Sequence, residues 1–105
     1  MPSYQKLVRD RIPEIIEAAG KKPITNILST DEYLFELDRK LNEECAEYQE
    51  SKSLEELADM LEVMFAIAEA RGYSLTELEQ VRAAKAAERG AFQKRIYLDG
   101  VEGST

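Results

Sequence analysis

Three long stretches of the chain repeat apolar residues at the three- and four-residue spacing of an amphipathic helix. Each stretch follows a serine that has a glutamate three positions later, which is the capping-box pattern that opens helices. Two of the stretches end near glycines, Gly72 and Gly90, where helix-terminating glycines belong. The pattern predicts helices over residues 30–51, 54–71 and 75–89.

A shorter helix is predicted near the N-terminus, over residues 13–19, because proline suits the first turn of a helix. Two extended stretches, 23–28 and 94–98, can each be a short strand, and the two can pair. The chain has 105 residues, which suits one domain with a modest core. The prediction is therefore an all-α antiparallel bundle of about four helices, with at most one short strand pair, in a single domain over residues 1–105.

The predicted helix over residues 54–71 has apolar residues on more than half of its circumference. They form two adjacent stripes, one of Met60, Val63 and Ile67 and the other of Leu57, Leu61, Met64 and Ala68. One neighbouring helix cannot cover both stripes. Either the rest of the chain wraps this helix, or a second subunit covers one side of it. The pattern favours the second arrangement, a homodimer or a higher homo-oligomer.

The composition excludes several kinds of functional site. The chain has no histidine and one cysteine, Cys45. Catalytic triads that use histidine, structural zinc sites and an intrachain disulfide are therefore excluded. If a metal ion binds, its ligands must be oxygen atoms, which favours Mg²⁺ or Mn²⁺ and, less strongly, Ca²⁺.

The charge of the chain is unevenly distributed. The net charge is −7, which disfavours a nucleic-acid partner. Residues 31–79 carry a net −11, whereas residues 1–22 carry +2 and residues 80–98 carry +4. An acidic middle between basic ends suggests that one part holds cations and the others hold phosphates. No stretch approaches the ~18 apolar residues of a membrane span, and the N-terminus lacks an apolar signal-peptide core, so we expect a cytoplasmic protein without membrane contact.

The strongest chemical signal is a run of acidic residues. Residues 43–62 contain eight carboxylates and a single base, Lys52. Two acid pairs have i,i+3 spacing: Glu44 with Glu47 on one predicted helix, and Glu56 with Asp59 on the next. Because a short connection joins these helices, they should be antiparallel neighbours. The two pairs can then face each other across the groove between the helices.

Four carboxylates in one groove repel each other, and a divalent cation would remove that repulsion. This favours a site for Mg²⁺, with Mn²⁺ as the alternative ion, left open to a phosphate ligand. The competing interpretation is that the acids form a solvated helix face, which suits Glu55, Glu62 and Glu69. Glu56 favours the metal site. It lies in line with an apolar stripe, where burying a charge costs free energy unless a partner compensates it.

Four segments resemble a known enzyme family. KLNEECAEYQES and LEELADMLEVM are similar to the EExxE and ExxD signature of the MazG-like all-α nucleoside triphosphate pyrophosphohydrolases. The flanking segments YQKLVRDRIPEII and RGAFQKRIYL resemble a small-protein branch of that superfamily. The branch is described as predicted house-cleaning hydrolases of non-standard nucleotides, related to phosphoribosyl-ATP pyrophosphohydrolase. The resemblance covers roughly residues 4–98.

The resemblance implies Mg²⁺-dependent hydrolysis of a nucleoside triphosphate to a nucleoside monophosphate and pyrophosphate. It implies that Glu44, Glu47, Glu56 and Asp59 are the metal ligands. Glu43, just before the first ligand, would support a ligand or orient the attacking water.

The phosphates of such a substrate require cationic donors. The candidates are the basic residues near the two ends: Lys85, Arg89, Lys94 and Arg95, and Lys6, Arg9 and Arg11. An ordinary surface role is the alternative for each of them. Two other functions stay open for the whole chain: a protein that binds a nucleotide without turnover, and an acidic helical module that binds a basic partner.

Overall fold

A computed structural model describes residues 5–103 of the chain. These residues form four helices, α1 over Ile12–Ala18, α2 over Thr30–Ser51, α3 over Leu54–Ala70 and α4 over Leu75–Arg89. The all-α class predicted from the sequence is confirmed. Tyr4, the first residue of the segment that resembles the enzyme family, lies outside the described residues.

The pair of short strands that the sequence allowed does not form. Neither residues 23–28 nor residues 94–98 contain a strand, and the described part of the chain contains none elsewhere. Ile24, Ile27 and Tyr97 are almost fully exposed. These three side chains therefore gain little packing that would favour an extended, paired conformation, and a two-stranded ribbon without such packing is marginal in water.

The chain divides into two compact units between Tyr73 and Ser74. In the first unit, α2 and α3 pack against each other. Lys52 and Ser53 connect them, and Lys52 adopts the left-handed conformation, with φ 55° and ψ 25°. A connection of this length returns the chain directly, so α2 and α3 form an antiparallel hairpin.

The capping serines define where the long helices begin. The Ser29 side chain accepts a hydrogen bond from the backbone N–H of Glu32, and the Glu32 carboxylate accepts one from the backbone N–H of Ser29. Ser53 caps α3 through the N–H of Glu56, and this bond fixes the glutamate in the first turn of α3. These caps satisfy backbone donors that the first helical turn leaves free.

The apolar core of the first unit is small. Leu37 on α2 and Val63 and Ala68 on α3 are the buried apolar residues among those described. The α3 stripe of Met60, Val63 and Ile67 is buried or half-buried. In the second stripe Ala68 is buried, but Leu57, Leu61 and Met64 are 45%, 46% and 39% exposed.

The second unit contains α4. This helix begins after Ser74, whose side chain accepts a hydrogen bond from the N–H of Glu77, and ends at Gly90, where φ is 86°. An ion pair between Arg82 and Glu79 bridges one turn of its surface. Within residues 5–103, every helix is too short or too polar to cross a membrane.

The Leu37→Ala variant tests the apolar contact between α2 and α3, called the seam below, in which Leu37 and Val63 are buried. Leu37 is 3% exposed, and removing a buried leucine side chain costs about 2–5 kcal/mol through lost burial and the cavity that remains. We expect a loss of this size in the free energy of unfolding, measured by urea denaturation. Phe35→Ala, at a position 66% exposed on the same helix, should change it by less than about 0.5 kcal/mol. Equal losses in the two variants would contradict this assignment of the seam.

Candidate metal centre

Three carboxylates converge in the groove between α2 and α3. Glu44 on α2 and Glu56 and Asp59 on α3 each place one carboxylate oxygen within 4.8 Å of the others. The helical period brings Glu56 and Asp59 to the same side of α3, and the short hairpin connection aligns them with Glu44. Glu47 is exposed and lies outside this group of three. Its charge still acts on both Glu44 and Glu56.

Two oxygens of this group are buried without a partner. Glu44 is 7% exposed, and its side chain is nine-tenths buried. The Oε2 atoms of Glu44 and Glu56 are buried, and while both carboxylates are ionised neither atom has a hydrogen-bond partner among the described residues. A buried acceptor without a partner loses its hydration and gains nothing in return. A cation in the groove would give both atoms a partner.

Burial and crowding change the proton affinity of the group. Burial raises the pKa of Glu56 to about 7, assisted by the charge of Glu47, by hydrogen bonds from the protonated acid to Glu44 and Glu47, and by the charge of Asp59. Burial also raises the pKa of Glu44, and the charge of Glu47 adds to this effect, while Lys40 opposes it. Without a cation, the groove therefore retains a proton near neutral pH.

Two basic side chains offset part of the negative charge. The Arg9 Nη2 atom donates a hydrogen bond of 2.6 Å to Asp59 Oδ1. The Lys40 Nζ atom lies 3.5 Å from Glu44 Oε1 and 3.9 Å from Glu43 Oε1. When Glu44, Glu47, Glu56 and Asp59 are all ionised, these two cations leave two of the four negative charges uncompensated. One divalent cation would balance them.

The dimensions and the ligand type fit a small divalent cation. Three atoms that lie no more than 4.8 Å apart all fall within about 2.8 Å of a common point, and Mg²⁺–oxygen distances are about 2.0–2.1 Å. Moving each oxygen from about 2.8 Å to a Mg²⁺–oxygen bonding distance requires side-chain shifts of about 1 Å or less. All three donors are carboxylate oxygens, which are the ligands that Mg²⁺, Mn²⁺ and Ca²⁺ prefer. The residues present therefore fit the predicted metal.

The other predicted site residues of the first unit differ in the side chains that they contact. Glu43 is exposed beside Lys40 and shares a small surface cleft with Lys6. Arg9 contacts the group directly through Asp59. Arg11 forms an ion pair of 2.9 Å with Glu14, three residues further along the chain.

Four predicted phosphate-binding residues belong to the second unit: Lys85, Arg89, Lys94 and Arg95. All four are exposed. Lys85 and Arg89 are one turn apart on α4, as their spacing predicts. Arg95 has a left-handed backbone, with φ 56°. Their contact with phosphate stays a prediction.

Lys40 is a residue of the candidate site that the sequence pattern did not predict. It lies one turn before Glu43 and Glu44 on α2, at i,i+3 and i,i+4 spacing. This spacing is a recognisable signal for side chains that share a helix face. Lys40 precedes the acidic run of residues 43–62, whose composition alone does not indicate it.

Comparisons with known proteins identify a relative that matches part of the chain. No protein-family model matches the chain, and no solved structure matches it. A segment of 42 residues is 60% identical to part of a protein described as uncharacterized from Mycolicibacterium smegmatis (strain ATCC 700084 / mc(2)155). The match covers 40% of this chain and 43% of that relative, so it spans less than half of either protein.

The raised pKa of Glu56 predicts that the metal-free protein loses stability as the pH rises. Its pKa is about 7 in the folded chain and 4.5 in the unfolded chain, so the folded state binds more protons between these values. The associated stability is present below pH 4.5 and is lost as the pH rises through 7. The melting temperature, followed by circular dichroism with a chelator present, should therefore fall between pH 5 and pH 8.

The Glu56→Gln variant should show a smaller fall, because the amide does not titrate. Glu62→Gln removes the same charge from an exposed position of α3 and should keep the wild-type slope. A wild-type slope in Glu56→Gln would contradict the assignment of this titration.

Proposed function

We propose that this protein is a Mg²⁺-dependent nucleoside triphosphate pyrophosphohydrolase that releases a nucleoside monophosphate and pyrophosphate. The observation that carries the proposal is the buried, unpartnered pair of oxygens on Glu44 and Glu56, beside Asp59. The type of reaction is proposed from the sequence segments that resemble the MazG-like hydrolases. Those segments contain the same acidic residues that converge in the groove.

The acidic residues would hold the cation, and their neighbours would act on the substrate. Glu44, Glu56 and Asp59 would be the ligands from the groove, with Glu47 reaching in from its exposed edge. When bound, Mg²⁺ would neutralise charge on the triphosphate and activate water for attack. Glu43, which is exposed beside the ligand Glu44, would orient that water toward the α-phosphorus. As the water oxygen bonds to the α-phosphorus, the bond from that phosphorus to the oxygen shared with the β-phosphate would break. Pyrophosphate would leave with that oxygen, and the proton of the water would pass to solvent.

The charges of the groove explain why the cation is required. A nucleoside triphosphate carries about four negative charges at neutral pH, and an acidic groove without a cation would repel it. Lys6 and Arg9 lie on the same unit as the groove and would contribute donors to the phosphates. Lys85, Arg89, Lys94 and Arg95 are the further candidates from the second unit. Non-standard nucleotides are the proposed substrate class.

Two measurements separate this proposal from the alternatives. A ligand that binds the folded state raises the melting temperature, so Mg²⁺ should stabilise both an enzyme and a nucleotide-binding protein without turnover. An acidic module that binds a basic partner has no need of Mg²⁺, and its stability should not respond. Release of pyrophosphate, as opposed to orthophosphate, from a panel of standard and damaged nucleoside triphosphates is expected of the enzyme alone.

The Glu56→Gln variant tests the ligand set. Loss of one anionic ligand should reduce pyrophosphate release by about 100-fold or more and weaken Mg²⁺ binding measured by calorimetry. In the absence of Mg²⁺ the variant should be at least as stable as the wild type at pH 8, because one repelling charge is gone. Glu62→Gln, at an exposed position of the same helix, should keep wild-type turnover. Wild-type turnover in Glu56→Gln would overturn the ligand assignment.

We propose further that the protein is a homodimer or a higher homo-oligomer through α3. Leu57, Leu61 and Met64 form an exposed apolar stripe along one side of this helix. Contiguous apolar surface of this kind marks contact sites in proteins. A second copy of the chain offers the same stripe, so a symmetric pair would bury both at once.

The Leu61→Glu variant tests the oligomer. In sedimentation equilibrium the wild type should have at least twice the 11.9 kDa mass of one chain, and Leu61→Glu should shift to the mass of a monomer, because the added charge would lose its hydration in the interface. Ala58→Glu places the same charge at another exposed position of α3 and should leave the mass unchanged. A wild-type chain that sediments as a monomer at high concentration would exclude the oligomer.

A further inference from the structure

Arg9 differs from Arg11, the other arginine near the N-terminus, because it contacts a helix that is distant in the sequence. It lies in the irregular segment before α1, and its Nη2 atom contacts Asp59 on α3, fifty positions further along the sequence. Arg11, two residues away, is bound instead to Glu14 within its own neighbourhood. The structure therefore places one arginine of this segment at the acidic groove and the other away from it.

The carboxylate that Arg9 holds belongs to the converging group. Asp59 supplies one of the three oxygens that lie within 4.8 Å of each other. A guanidinium and a divalent cation on one carboxylate repel each other and compete for its charge. Either cation can satisfy Asp59, but the presence of one weakens the attraction for the other.

The exposure of this ion pair makes it easy to open. The side chains of Arg9 and Asp59 are 58% and 40% exposed, and exposed ion pairs contribute little to stability. In contrast, the Lys40 and Glu44 side chains are 21% and 9% exposed, and both belong to α2. The guanidinium has five N–H donors in a planar fork that suits phosphate oxygens, and one of them is bound to Asp59.

We propose that Arg9 is a displaceable counter-ion that links cation binding to phosphate binding. In the cation-free protein its guanidinium neutralises Asp59. When a divalent cation takes the Asp59 carboxylate, the guanidinium is released and binds a phosphate group of the substrate. This proposal rests on the proposed function for its substrate, and it makes cation binding the step that prepares the site for polyphosphate.

The Arg9→Ala variant should change the two binding reactions in opposite directions. With Mn²⁺ or Mg²⁺ alone, calorimetry should show binding about two- to fivefold tighter than in the wild type, because the internal competitor is gone and an exposed ion pair has about this strength. With saturating Mg²⁺, inorganic tripolyphosphate should bind about tenfold more weakly, because a charged hydrogen bond to phosphate is lost. Turnover of a substrate nucleotide should show this loss mainly in KM.

Two further variants serve as controls. Arg9→Lys keeps the positive charge but loses the planar fork, so its cation affinity should stay near that of the wild type while tripolyphosphate binding is only partly restored. Arg71→Ala removes an exposed arginine that is paired with Asp38 of α2, and both affinities should match the wild type. Melting temperatures of all variants would verify that they remain folded.

The outcomes distinguish this proposal from the proposed hydrolysis. Weaker or unchanged cation binding in Arg9→Ala would overturn the displacement, even if the wild type releases pyrophosphate. Unchanged tripolyphosphate binding would overturn the phosphate contact. If the variants behave as expected but no nucleotide is hydrolysed, the role of Arg9 stands and the hydrolysis fails. A wild-type protein that binds neither Mn²⁺ nor Mg²⁺ would remove the basis of both.

Discussion

Repulsion among like charges in the α2–α3 groove is the constraint on which the rest of the structure depends. The hairpin brings Glu44, Glu56 and Asp59 together, and the apolar seam on the same side of the helices prevents them from moving apart. Leu37 and Val63 can stay buried only while α2 and α3 remain packed. The burial that holds the helices together therefore also raises the pKa of Glu56 and leaves two carboxylate oxygens unpartnered.

The two basic residues at the groove counter this repulsion in different ways. Lys40 shares α2 with Glu44, and its position is set by the helical repeat, so it is a permanent neighbour of that carboxylate. Arg9 approaches from an irregular segment and contacts Asp59 at the exposed end of the group. A counter-ion on a helix lowers the charge at all times, whereas a counter-ion on an irregular segment can leave at small free-energy cost. The groove therefore combines a fixed and a removable source of positive charge.

The local part of this organisation could be predicted from the sequence, and the long-range part could not. The predicted bounds of α2 and α4 agree with the structure at both ends, because Ser29 and Ser74 cap the helices and the turn residues that follow end them. The convergence of Glu44, Glu56 and Asp59 follows from helical periodicity and a short connection. The Arg9–Asp59 contact depends on the path of an irregular segment, which periodicity does not describe. For the same reason, residues 23–28 looked extended but form no strand.

The distribution of acids on α3 argues that the groove serves a function and not the stability of the fold. Glu55, Glu62 and Glu69 have the same chemistry as Glu56 but are exposed to solvent, where a carboxylate is fully hydrated. Glu56 instead lies in line with Val63 and loses hydration without gaining a partner for Oε2. An apolar residue at this position would pack against α2 and relieve the repulsion. Positions at which a sequence departs from the most stable local choice are concentrated at functional sites. Glu44 and Glu56 are such positions, one on each side of the groove, and the proposed divalent cation would compensate both departures at once.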